Sequence, residues 1–236
     1  KGTISDTYYG STITAPSTDI FGNSRPTPNG TNPDIGAIEN SRGIRDNIAF
    51  SVKQDGTGDY EIIQNAINNS DIIDGDTLLV YPGTYTENFY INDKNIVLMS
   101  LSGPFETHIV PSQPSTHTLT LSNTNSEITG FSFSGSSYGA ASVDASGGAP
   151  RISNCRFYDN QSNNSIKFHG ANAILENILF YNYEGSQNHG FYWDNSCSPV
   201  IRNSTIINYG GWVFNGGDFA NGAVIYFENS IIKGLS

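Results

Sequence analysis

Five stretches in the second half of the chain can be laid one above another: SEITGFSFSG at 126–135, PRISNCRFYDN at 150–160, AILENILFYNY at 173–183, PVIRNSTIINYG at 199–210 and VIYFENSIIKG at 224–234. Each reads as an apolar strand, one turn residue and a second apolar strand. The turn residues are Gly130, Asn154, Asn177, Asn203 and Asn229, at steps of 24, 23, 26 and 26 residues. Gly and Asn enter the left-handed backbone region at the lowest cost, so the same sharp bend is expected at the same place in every repeat. After the bend, Phe131 and Phe133, Cys155 and Phe157, Ile178 and Phe180, then Ile206 recur with a period of two, the mark of a strand with one buried face. Coils of this length put like residues above like at about 4.8 Å, the spacing of hydrogen-bonded strands. The pattern predicts an all-β parallel solenoid, with the Asn column stacked as an amide ladder inside the turn.

Upstream, the periodicity changes once. EIIQNAINN at 61–69 places Ile62, Ile63, Ala66 and Ile67 on one face of a short helix, with Asp59 available as its N-cap. Strand patterns follow in GDTLLVYPGTY at 75–85 and NFYIND at 88–93, joined through Pro82-Gly83. One amphipathic helix ahead of a stack of strands is expected to cap the apolar open end of the first coil.

The composition agrees. The 236 residues include 27 Asn, 28 Ser and 25 Gly, while only 14% are charged, against about 25% in an ordinary soluble domain. Aromatics at 12% and apolar residues at 36% supply a core, so a disordered polar tract is excluded. A formal charge of −11 with 11 Lys and Arg gives no basic face for phosphates, which argues against nucleic acid and anionic membranes as partners. No run of 18 apolar residues predicts a membrane span, and no basic-then-apolar leader opens the sequence. Cys155 and Cys197 lack metal-ligand spacing and fall at different positions of their repeats, so two free buried thiols are expected.

The residues of the opening carry a resemblance. SVKQDGTGDYEIIQNAI at 51–67, GDTLLVYPGTYTENFYI at 75–91 and KNIVLMS at 94–100 resemble the start of right-handed parallel β-helix proteins of the pectin-lyase-like superfamily. The wording is most similar to the pectin methylesterase branch, which shares the P-G-x-Y-x-E turn. A second stretch, DIFGNSRPTPNGTNPDIGAIE at 19–39, resembles the G-x-x-x-D-I-G-A-x-E closing motif of bacterial cell-surface β-helix domains. Residues 1–47 are therefore expected to be the C-terminal end of a preceding β-helix unit and a linker. Residues 48–236 are expected to form a right-handed parallel β-helix open at its C-terminus. A closing motif ahead of an opening cap suggests one segment of a longer array.

For activity, the resemblance implies paired carboxylates from Q-D and G-x-x-D-F-x-F-G motifs, with a Gln and an Arg beside them. In GGWVFNGGDFANG at 210–222, Trp212 and Val213 stand where the carboxylate belongs and Asp218 comes later, while Tyr158-Asp159-Asn160-Gln161 lacks the expected order. Asp159, Asp194, Asp218 and Arg202 are thus only weak catalytic candidates. Lyase-type chemistry on Ca²⁺ would draw on Asp144, Asp194 and Asp218, which follow the preceding turn residue by 14, 17 and 15 positions; otherwise no cofactor is expected. His169 and His189, 20 residues apart, are candidate vertical neighbours.

The aromatic crowding between 181 and 212 is more pointed. Tyr183, His189, Tyr192, Trp193, Asp194, Tyr209 and Trp212 interleave flat rings with polar groups, as sugar binding requires, and at least one of the two tryptophans is expected on an exposed loop. The leading expectation is a secreted or cell-surface adhesin or stalk segment that binds a polysaccharide or cell-surface glycan without catalysis. The alternatives are a polysaccharide lyase or related carbohydrate-active enzyme, and a self-assembling extracellular fibre subunit whose copies pair end to end.

Overall fold

The computed structural model describes residues 5–8, 11–14, 17–18, 47–137, 139–161, 164–182, 189–194, 197–209, 213–216 and 224–234. The chain divides into two units, Lys1–Asp46 and Asn47–Ser236. In the first, strands β1 (Ser5–Tyr8) and β2 (Ser11–Thr14) pair antiparallel; the DIGAIE stretch lies outside the described residues.

The second unit is a parallel β-helix of about seven turns. Its three sheets, of eight, seven and six strands, run along the solenoid axis, and each complete coil contributes one strand to each. One sheet stacks β3 (Ala49–Val52), β4 (Thr77–Val80), β7 (Val97–Ser100), β10 (Glu127–Thr129), β13 (Arg151–Ser153), β16 (Ile174–Glu176), β19 (Val200–Arg202) and β22 (Tyr226–Glu228). Across the recurrent bend lies the second sheet: β5 (Gly83–Thr86), β8 (Thr107–Val110), β11 (Ser132–Phe133), β14 (Arg156–Tyr158), β17 (Leu179–Asn182), β20 (Thr205–Asn208) and β23 (Ile231–Gly234). The third holds β6 (Phe89–Asn92), β9 (Leu119–Thr124), β12 (Val143–Gly148), β15 (Asn164–His169), β18 (His189–Trp193) and β21 (Phe214–Gly216).

All five bend residues have positive φ, from 44° at Asn229 and 51–53° at Asn203, Asn177 and Asn154 to 84° at Gly130. The backbone there continues the ladder, with Asn154 N donating to Glu176 O at 3.0 Å and Asn177 N to Arg202 O at 3.1 Å. The side chains depart from the expected amide ladder. Asn154, Asn177, Asn203 and Asn229 are exposed on the outside of the turn. One Asn–Asn rung forms, Asn177 Nδ2 to Asn154 Oδ1 at 2.8 Å, while Asn154 Nδ2 donates to Thr129 Oγ1 and Asn203 Nδ2 to Glu176 Oε1. The backbone geometry, which each Asn can meet by itself, unites the column more than the amides do.

The core follows the period of two. Phe131, Phe133, Cys155, Phe157, Ile178, Phe180 and Ile206 are all buried. Phe133 stacks on Phe157 with centroids 5.2 Å apart, and Phe157 on Phe180 at 6.5 Å. Identical coil geometry repeats the same void, and a ring from each coil fills it.

The helix α1 is shorter than the expected 61–69, spanning Ile63–Asn68, and buries Ile63, Ala66 and Ile67 in the same core. Its N-cap is Ile62, without a side-chain cap bond, so Asp59 does not cap it. Asp59 instead accepts from Ser51 N and Oγ, both at 2.7 Å, and these bonds hold its carboxyl below the usual range. The free amides of the first helical turn are met from the next coil, where Glu87 accepts from Ile63 N at 3.0 Å and Gln64 N at 3.1 Å. A cap of this kind is worth about 1 kcal/mol.

Cys155 and Cys197 are free and buried. Burial pushes the Cys155 thiol up to about 12, against weaker hydrogen bonding from Phe131 and Gly130.

Candidate functional site

The third sheet presents alternate residues to solvent. Phe89, Ile91, Leu119, Leu121, Val143, Ala145, Ile166, Phe168, Phe191 and Trp193 point into the core. The residues between them form two outward columns. Pairing aligns Tyr90, Thr120, Asp144, Lys167 and Tyr192 in the first, and Asn92, Ser122, Ser146 and His169 in the second. Asp194 N bonds Phe168 O at 3.1 Å, which carries Asp194 onto the second column above His169.

His169 joins the two columns. Its Nε2 lies 3.3 Å from Asp144 Oδ1 and its Nδ1 3.8 Å from Asp194 Oδ2, while its ring centroid is 5.4 Å from that of Tyr192. Asp194 is held from behind, since its Oδ1 accepts from Gly170 N at 3.1 Å and from Cys197 Sγ at 3.1 Å. That contact adds to burial in raising the Cys197 thiol. Lys167 Nζ reaches Gly139 O at 3.3 Å. His117 borders the patch and accepts from Ala141 N at 2.9 Å through Nδ1. Burial lowers its pKa first; the Lys167 and His169 charges push the same way, and Asp144 opposes them. The result is a patch on rigid strands with a half-buried phenol, an imidazole, an ammonium and two carboxylates.

The sequence candidates divide accordingly. Tyr192, Asp194 and Asp144 share this face. Trp193 does not: at 2% exposure it packs edge-on to Phe214 in the core, which corrects its reading as a sugar platform. Alternation decides this, because the neighbour of an outward Tyr192 on a strand must point inward. His189 pairs in register with Asn164, so it is not the vertical neighbour of His169; the coil step here is 25 residues, not 20. Tyr209 follows β20 on the second sheet, edge-on to Tyr181 with centroids 6.2 Å apart and Lys233 Nζ 5.4 Å from its ring. Tyr183, Trp212 and Asp218 lie outside the described residues.

The catalytic candidates do not converge. Asp159 is an exposed turn residue with φ 50°. Arg202 is on the first sheet, its Nε 3.2 Å from Glu176 Oε1, where Arg151 also pairs. Desolvation raises the Glu176 pKa, but the Arg202 hydrogen bond and both arginine charges reverse this and hold the carboxyl below its usual value. This row of ion pairs braces successive coils. Nor do Asp144 and Asp194 fit Ca²⁺. His169 stands between them, imidazole is a poor ligand for this oxygen-seeking ion, and among the described residues no group of three or more His, Cys, Asp or Glu side chains could hold a metal. Lys167, His117 and Tyr90 join the face only through register, which no local sequence signal supplies.

These features define a parallel β-helix with a polar and aromatic outer face on one sheet. The family described as the right handed beta helix region matches residues 111–235, just over half of the chain, and the chain belongs to that family. Among curated proteins none matches. Solved structures similar to it include the pectin methylesterase from carrot, at 15% identity and TM-score 0.47 over 75% of this chain and 64% of that one. The pectin methylesterase from Aspergillus niger is similar at 14% identity and TM-score 0.40, over 79% and 85%. That of Erwinia chrysanthemi is similar at 15% and 0.40, over 70% and 66%. The chain thus spans just under two thirds of the length of the carrot enzyme. Among the described residues no helix is long and apolar enough to cross a membrane.

Proposed function

We propose that this chain is a polysaccharide-binding β-helix segment of a larger secreted or cell-surface protein, holding its glycan without cleaving or de-esterifying it. The observation that carries the reading is the outer face of the third sheet, where Tyr192 and His169 stand beside Asp144, Lys167 and Asp194. A sugar ring lays its C–H face on the phenol and bonds its hydroxyls to the flanking charges. The non-catalytic half rests on His169 standing between the two carboxylates, and on the backbone and thiol bonds that occupy Asp194. The paired-carboxylate chemistry that the resemblance implies needs one protonated and one ionised carboxyl turned to a common reacting atom. A place in an array is supported by the closing-type motif at 19–39 preceding the opening-type segment at 51–100.

Affinity electrophoresis through gels containing neutral and acidic polysaccharides tests this. At least one polysaccharide retards the chain, and Tyr192→Ala removes the retardation while leaving the unfolding midpoint in place. A chain that migrates freely in every gel rejects the binding role. Release of methanol or unsaturated ends from a bound glycan rejects the non-catalytic one, and growth of light scattering with concentration favours the fibre reading.

A further inference from the structure

The second sheet carries a groove of about 460 Å³ that the glycan-binding face does not use, lined in part by Phe105, Asn154, Arg156, Asn177, Asn203 and Thr205. Arg156 is its centre. Of the three arginines in the described solenoid, Arg151 and Arg202 both pair with Glu176. Arg156 has no carboxylate within 4.0 Å among the described residues, and its Nε is buried without a hydrogen-bond partner. The guanidinium carbon lies 4.4 Å from the ring centroid of Phe105 and 5.1 Å from that of Tyr158.

Two rings stand at cation–π distance from the guanidinium, whose N–H donors lie along its edge. The rings also fix the plane of a side chain that otherwise loses much rotamer freedom on binding. A buried donor without a partner carries an uncompensated desolvation cost, which is recovered when an acceptor arrives. The net charge of the chain does not prevent this, since exposed charges beyond about 8 Å are screened at physiological salt. Glu176, one column away, is already neutralised by two arginines.

We propose that this groove is an oxyanion-binding site that takes a carboxylate or sulfate ester group in a two-point contact with the edge of Arg156. Phe105 and Tyr158 hold the guanidinium plane, and the exposed column of Asn154, Asn177 and Asn203 borders the ligand with further polar groups. A planar or tetrahedral oxyanion matches the paired donors of Arg in a way that a hydroxyl does not. The site lies on a different sheet from Tyr192, so the two bind independently.

The test is affinity electrophoresis in alginate, dextran sulfate and neutral dextran, repeated across salt. At least one of the two polyanions retards the wild-type chain, dextran does not, and retardation falls as salt rises. Inorganic sulfate competes. Arg156→Ala weakens the sulfate-competed part of the binding at least tenfold, Arg156→Lys less, and Tyr192→Ala leaves that sulfate-competed part unchanged. Phe105 is 69% exposed and adds nothing to the core, so Phe105→Ala folds normally and also weakens binding. Wild-type chain that ignores both polyanions, or Arg156→Ala and Phe105→Ala chains that bind them as tightly as wild type, overturns the proposal.

Discussion

Removing one ring from the aromatic stack tests whether the coils are held together as the register implies. Phe157 is wholly buried, with Phe133 5.2 Å below it and nearly parallel at 9°, and Phe180 6.5 Å above. Truncating a buried Phe to Ala costs about 3–5 kcal/mol, and the spread reflects how far the site can collapse. Here collapse is limited, because backbone bonds to both neighbouring strands hold Phe157 at the ladder spacing of about 4.8 Å. The loss of two ring contacts, each worth about 0.5–1.5 kcal/mol beyond burial, points the same way. Phe157→Ala is therefore expected near the upper end, at about 4–5 kcal/mol. For a domain of this size that lowers the melting temperature by about 8–20 °C. Phe157→Leu, which keeps most of the volume, costs about 1.5 kcal/mol or less. Equilibrium urea unfolding, followed by circular dichroism and by fluorescence of the buried Trp193, reads both. A Phe157→Ala chain within about 1 kcal/mol of wild type refutes the packing argument.

Two further outcomes follow from single residues. At the bend, Asn177→Ala forces a side chain with a Cβ and no local hydrogen bond into φ 53°, and is expected to cost about 1.5–3 kcal/mol. Asn177→Gly keeps that backbone, loses only an exposed amide bond and some chain entropy, and costs less; equal losses would mean that the amide, not the turn, is what matters. At His117, the folded-state pKa lies below the ordinary value, so the unfolded chain binds the proton more readily. Stability from this group is intact above the ordinary histidine range and is lost as pH falls through it toward the lowered folded value. His117→Asn removes that part of the pH dependence; superimposable wild-type and mutant profiles of urea midpoint between pH 8 and pH 5 (about 1.5 units either side of the ordinary histidine value of ~6.5) would contradict it.

The solenoid was legible because a coil is a local object repeated. The bend at Gly130 and the four Asn residues, the inward run from Phe131 to Ile206 and the apolar face of α1 each follow from spacing within a few residues. The cap of α1 was not, since Glu87 reaches it from 23 residues away through the stacking of coils.

The site shows the same division more sharply. Residue types near one another in sequence suggested Tyr192, Trp193 and Asp194 as one surface, and strand alternation sends the middle one into the core. Sequence by itself determined the kind of fold, the bend column and the buried ring column, because backbone conformation and period-two burial are set by neighbours along the chain. Which residues stand side by side on the outside was decided by tertiary structure alone. The meeting of Asp144, His169 and Asp194, and the stacking of Phe105 on Arg156, depend on loop lengths that set the step between coils. A change of one residue in such a step moves every outward partner while leaving the repeat itself readable.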